Sequence, residues 1–193
     1  MPHLLNTLMP DATSMIRMDH THALAIFHRY KASSSASAKA SIAKTLCAAL
    51  EIHAQLEEDI FYPALQRVLP GSDEMRKSVP EHDAMRRLIA RLRSLEPGTV
   101  EHDDIVLALM REVLHHVADE ETVLLPAAER LLPDQLGELG ARMTRRRLEL
   151  VGPRIGEIAL HSARAMPVAT LLALGTAAGL GAWAVHASRR MAA

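Results

Sequence analysis

Residues 53–63 read HAQLEEDIFYP, and residues 116–126 read HVADEETVLLP. Set one above the other, the two stretches share a histidine, two adjacent glutamates four residues on, and a closing proline. The match runs further: His53, Glu57, Glu58, Pro63, Arg67, Leu69 and Pro70 recur as His116, Glu120, Glu121, Pro126, Arg130, Leu132 and Pro133, each 63 residues later. A second echo lies upstream of each, where Asp19-His20 recurs as Glu81-His82 at an offset of 62. The chain thus reads as two copies of one helix pair. Repeated packing explains repeated apolar residues. It does not explain a repeated polar set, here His20, His53, Glu57, His82, His116 and Glu120.

Composition supports the helical reading. Apolar residues make up 49% of the 193, aromatics only 3%. Alanine and leucine dominate over the β-branched residues that favour strands. Turn signals divide the chain into helices over roughly 13–31, 39–69, 73–95 and 100–132. The breaks are ASSSASA (32–38), with a serine near its end as N-cap, then Pro70-Gly71, EPGT (96–99) and Pro133. Short connections between four amphipathic helices predict an all-α, antiparallel four-helix bundle. A fifth helix over 134–163, with Asp134 as its N-cap, is basic on one side and carries Leu148, Val151, Ile155 and Ile158 as a stripe. The expected organisation is an N-terminal segment (1–12), the bundle (13–133), a basic amphipathic helix (134–164), an apolar helix (165–188) and a short tail (189–193).

Residues four apart on a helix share a face. His53 therefore reaches the point that Glu57 reaches, and His116 that of Glu120. Carboxylates buried without partners are costly, and metal ions remove that cost. Imidazole with carboxylate suits iron, manganese or zinc. The single cysteine, Cys47, reads as a small core residue and excludes an internal disulfide. Two carboxylates from facing helices can bridge two cations, with two histidines for each and a position left for a small ligand. Other helical metal motifs fit less well. Glu112-x-x-His115 matches the paired motif of ferritin-like proteins only once, and His-Glu-x-x-His is absent. His115 with Asp119 has the same spacing as His116 with Glu120, but the 63-residue offset selects the latter. Glu58 and Glu121 are expected to support from the helix flank. Tyr30 and Tyr62 are expected at the core edge, with hydrogen bonding near the site as the alternative, and Phe27, Phe61, Leu24, Met85, Ile89 and Leu124 around the site.

The sequence order His … His-x-x-x-Glu … His … His-x-x-x-Glu, together with MDHTHALAIF and PEHDAMRRLI, resembles the hemerythrin-like, or HHE cation-binding, domain over about residues 14–133. The resemblance implies a non-haem di-iron site, oxo- or hydroxo-bridged, with iron ahead of manganese and zinc. It implies His20, His53, Glu57, His82, His116 and Glu120 as ligands. The implied roles are binding of dioxygen, peroxide or nitric oxide, in oxygen or iron sensing or in oxidative or nitrosative stress. A peroxide- or nitric-oxide-consuming enzyme and an iron-buffering or structural bundle stand as alternatives. One departure is Arg86, where oxygen-carrying hemerythrins have a further histidine. It puts simple oxygen transport in doubt.

Charge and the C-terminal run bear on partners. From residue 142 onward eight arginines face two glutamates, so the net charge of −1 leaves −7 on the first 141 residues. An acidic bundle without aromatic platforms does not read as a nucleic-acid binder. The opening MPHLLNTLMPDATSM lacks the basic start of a signal peptide. Residues 167–185 carry no charge, enough to cross about 30 Å of hydrocarbon at about 1.5 Å per residue. They contain Gly175-x-x-x-Gly179, a spacing that suits a homodimer of membrane helices. The expectation is a cytoplasmic-facing bundle on a membrane anchor. An Ala/Gly-rich helix buried in a soluble cytoplasmic protein is the alternative.

Overall fold

The computed structural model describes residues 10–152. Every regular element among them is helical. These are α1 (Ala12–His28), α2 (Ala36–Leu56), α3 (Tyr62–Gln66), α4 (Asp73–Ser94), α5 (Val100–Asp119), α6 (Leu125–Leu131) and α7 (Leu136–Val151). Two π-helical turns, Glu57–Phe61 and Glu120–Leu124, join α2 to α3 and α5 to α6 without a break. The expected second and fourth helices are thus each two α-segments with a wide turn between them.

Side-chain caps set most helix starts. The carboxylate of Asp11 accepts from the Ser14 N–H at 2.7 Å, and Ser35, Ser72 and Thr99 serve α2, α4 and α5 in the same way. Ser35 starts α2 inside the stretch expected as loop. The turns before α4 and α5 use Gly71 and Gly98 at φ +87° and +93°, a conformation glycine adopts without strain. Asp134 does not cap α7. A turn closing on the Leu132 carbonyl starts that helix at Leu136, and Gln135 precedes it without a capping side chain.

Helix α1 packs on α2 and α4 on α5, as the repeat implies, while α7 lies across α1 and α2. Its approach depends on Gly140. A Cβ there would meet the Pro10 carbonyl oxygen at 2.4 Å. The buried stripe of α7 is Leu136, Leu139 and Met143; of the expected apolar stripe, Val151 packs half-buried against the same cluster, whereas Leu148 is 69% exposed. Ile155 and Ile158 lie outside the described residues.

Two apolar clusters fill the interior. One gathers Ile16, Leu56, Phe61, Leu124 and Met143; the other gathers Ile26, Leu46, Met85, Ile89 and Val113. In each long helix a polar residue falls between them: His20 between Ile16 and Ile26, His53 between Leu50 and Leu56. The six repeated polar residues form a layer between two oily ends, and none is more than 6% exposed. Among the described residues no helix is long and apolar enough to cross a membrane. The candidate anchor at 165–188, with Gly175 and Gly179, lies outside them.

Candidate metal centre

The π turns begin at the two inward glutamates. The Tyr62 N–H reaches the Glu57 carbonyl and the Leu125 N–H reaches that of Glu120, each five residues back. Prolines follow at once. Pro63 and Pro126 have no N–H, and their rings displace the carbonyl four residues earlier. The helix answers by widening one turn, a device common at functional sites. A proline six residues after each glutamate was the sequence signal for this feature, and the expectation of uniform helices missed it.

All six expected residues meet in the buried layer. His20 Nε2 lies 3.0 Å from Glu120 Oε2, and His53 Nε2 lies 3.2 Å from Glu57 Oε2. His82 Nε2 is 3.4 Å from Glu57 Oε2, and His116 Nε2 is 3.5 Å from Glu120 Oε2. The donors fall into two groups, His20–His53–Glu57–Glu120 and Glu57–His82–His116, with Glu57 common to both. The imidazoles pair accordingly, with ring centroids 5.0 Å apart for His20 and His53, and 4.6 Å for His82 and His116.

A second ring of carboxylates fixes the direction of every imidazole. His53 Nδ1 faces Asp19 at 3.4 Å and His116 Nδ1 faces Glu81 at 2.9 Å, within each repeat. His82 Nδ1 faces Glu58 at 2.8 Å and His20 Nδ1 faces Glu121 at 2.9 Å, across the repeats. The expectation that Glu58 and Glu121 support from the flank describes this geometry. An ionised carboxylate only accepts, so with a metal bound each Nδ1 would carry the proton and each Nε2 would turn a lone pair inward. Arginines back the ring: Arg86 spans both oxygens of Glu58 at 2.8 Å, Arg147 holds Asp19, and Arg17 holds Glu121. Arg86 therefore points outward to a carboxylate, and its group has one donor fewer than the other.

These residues fit a metal. His82 Nε2 and His116 Nε2 are 3.1 Å apart, and His53 Nε2 and Glu57 Oε1 are buried without a hydrogen-bond partner. Such crowding of lone pairs costs free energy until a cation accepts them. Without one, protons are the substitute. Burial lowers the His116 pKa, but hydrogen bonds to Glu57 and Glu81 and the charge of Glu120 outweigh it and raise it to about 10. Glu57 is pulled well below the usual carboxylate range: burial opposes this, and His53, His116 and His82 overcome it.

Tyr62 takes the second of its two expected placements, hydrogen-bonded at the site rather than at the core edge. Its hydroxyl donates to Glu120 Oε1 at 2.8 Å and lies 3.3 Å from Glu57 Oε2, while its ring stacks on His82. Burial, then Glu57 and Glu120, push its pKa well above the ordinary value, so it stays a donor. Tyr62 stands five residues after Glu57, one π turn, which is why it faces the site rather than the core edge. Leu125 occupies the matching place in the second repeat. Tyr30 is remote and bonds to His102 and Asp103. His115 is on the surface.

A cavity of about 220 Å³ opens onto the layer. Buried His20, His53, His116, Met85 and Val113 line its inner end, and exposed His22 and Lys44 its outer end. Dry cavities of about 150 Å³ admit a benzene, so a diatomic or a peroxide has ample room.

Comparisons with known proteins bear on the family and the fold. A sequence model of the hemerythrin HHE cation-binding domain matches residues 11–128, and a second match covers 78–151. A crystal structure of a hemerythrin HHE cation-binding domain-containing protein from Mycobacterium kansasii, an Rv2633c homolog, superposes with a TM-score of 0.65. It is 18% identical and covers 82% of this chain and 100% of its own. A DNA nickase from Nostoc sp. (strain PCC 7120 / SAG 25.82 / UTEX 2576) is 26% identical over 142 residues, 74% of this chain; the chain spans 40% of that protein's length. With the first family match alone covering more than half of its residues, the chain belongs to the hemerythrin HHE cation-binding domain family.

Proposed function

We propose that the chain is a non-haem di-iron protein that binds dioxygen, peroxide or nitric oxide within an antiparallel four-helix bundle. His20 and His53 would hold one iron and His82 and His116 the other, with Glu57 and Glu120 shared between them. The observation that carries this reading is the inward crowding of four Nε2 atoms and the glutamate oxygens, each imidazole held by a carboxylate behind it. Family membership favours iron. Two ferrous ions would supply electrons to a bound oxidant.

The chain's own residues do the rest. The second ring of carboxylates keeps the imidazoles oriented and basic. Tyr62 offers a proton donor to the glutamate oxygens. Apolar residues on both sides exclude water, and the cavity admits a small ligand by the His20–His53–His116 side. The smaller donor group, on His82 and His116, favours reaction with the ligand over its passive storage. Stopped-flow spectroscopy of the reduced iron form separates the outcomes. A long-lived oxygenated species supports a binding role; rapid catalytic loss of peroxide supports an enzyme. A spectrum indifferent to oxygen, peroxide and nitric oxide contradicts both and leaves iron buffering.

A further inference from the structure

Four carboxylates hold the inward histidines, and three of them have a guanidinium on the outer side: Asp19 has Arg147, Glu58 has Arg86, and Glu121 has Arg17. Glu81 breaks the pattern. Among the described residues its close cationic neighbours are histidines, and Lys77 acts on it only from longer range. What stands beside Glu81 is instead a donor set. His115 and Asp119 lie one turn apart on α5, and one ligand atom from each of Glu81, His115 and Asp119 falls within 4.8 Å of the others.

The repeat shows that this set is not a copied accident. Subtracting the offset of 63 maps His115 onto Ile52 and Asp119 onto Leu56, both buried. There α7 covers the face: Leu56 packs in one cluster with Leu139 and Met143, and Arg147 of the same helix reaches Asp19. In the second half the apolar pair has become a histidine and an aspartate, on a face where His115 is 67% exposed. Where the first repeat has a helix that brings a cation, the second has ligands for one.

We propose that Glu81, His115 and Asp119 hold a divalent cation of the zinc class, which does for Glu81 what Arg147 does for Asp19. Zinc accepts imidazole nitrogen and carboxylate oxygen at about 2.0–2.2 Å and takes water as a fourth ligand. Tetrahedral bonds of that length space donors by roughly 3.4 Å. His115 Nε2 and Glu81 Oε1 are 3.9 Å apart, and an exposed side chain closes that gap at little cost. Because Glu81 also holds His116 Nδ1, the bound cation draws on the carboxylate that orients an inward imidazole, so occupancy of the outer site tunes the donor strength of His116.

The test is zinc uptake by the full chain after iron loading, with both metals measured per chain in wild type, His115→Ala and Asp119→Asn. Wild type should retain one zinc more than either variant after dialysis, with its zinc affinity at that site at least about tenfold higher and iron content the same in all three. Unchanged helical circular dichroism shows that neither surface substitution unfolds the chain. Equal zinc retention in wild type and both variants overturns the proposal. The same difference between wild type and variants is read in the chain without iron, so a failure of the central site appears separately, in the iron content.

Discussion

Replacing Glu58 with alanine tests the division of labour between two neighbouring glutamates. Glu57 points inward among the donors; Glu58 accepts from His82 Nδ1 at 2.8 Å and, through both oxygens, from Arg86. The substitution removes no inward atom. It leaves the buried His82 N–H without its acceptor and frees the imidazole to turn or to change tautomer. Loss of such an outer partner costs about 10- to 100-fold in metal affinity, which is about 1.4–2.8 kcal/mol at about 1.4 kcal/mol per tenfold. The Glu58 side chain is 21% exposed, so water replaces part of the lost hydrogen bonding and the lower half of that range is expected. The assay is competition for ferrous iron against a chelator of known affinity. Asp59→Ala is the control, because that acid sits on the surface and pairs with Arg146. Glu121→Ala, its counterpart across the repeat, should match Glu58→Ala. If Glu58→Ala and Asp59→Ala bind iron alike, the reasoning about the outer carboxylates fails.

Two further outcomes follow from the same geometry. His116 is raised from 6.5 to about 10 in the metal-free chain. A raised pKa stabilises the fold below the unfolded value and loses that contribution as pH climbs through the folded one. The metal-free chain should therefore lose stability between about pH 6.5 and 10, while iron affinity rises over the same interval because the metal displaces protons. Thermal melts with and without iron across that interval should diverge, and parallel curves would contradict the assignment. Tyr62→Phe removes the donor to Glu120 Oε1 and should destabilise the metal-free chain by about 1–3 kcal/mol. Denaturant unfolding reads the loss, and a wild-type midpoint would show that the hydroxyl does not hold the glutamate.

The repeat made the six inward donors legible, because a histidine copied with its glutamate at fixed spacing can be read without knowing where the helices pack. The acids at 19, 58, 81 and 121 were visible for the same reason. The wide turns at Glu57 and Glu120 were not, since a period of 3.6 was carried through them, and with it went the choice between the two placements of Tyr62. Arg86 was visible only as a missing histidine; its reach to Glu58 is a contact between helices that spacing along one helix does not encode. The docking of α7 was hidden for a similar reason. Its buried stripe depends on where Gly140 lets it approach Pro10, which leaves Leu148 exposed although Val151 of the same expected stripe packs on the core.

The most direct test of the central claim is the metal content of the purified chain, compared between wild type and Glu57→Ala. Glu57 belongs to both donor groups and is fully buried. Wild type should hold two iron ions per chain after anaerobic loading and desalting. Glu57→Ala, with its helical content intact, should hold neither. A wild-type chain that retains no iron, or a Glu57→Ala chain that retains as much as wild type, would contradict the account.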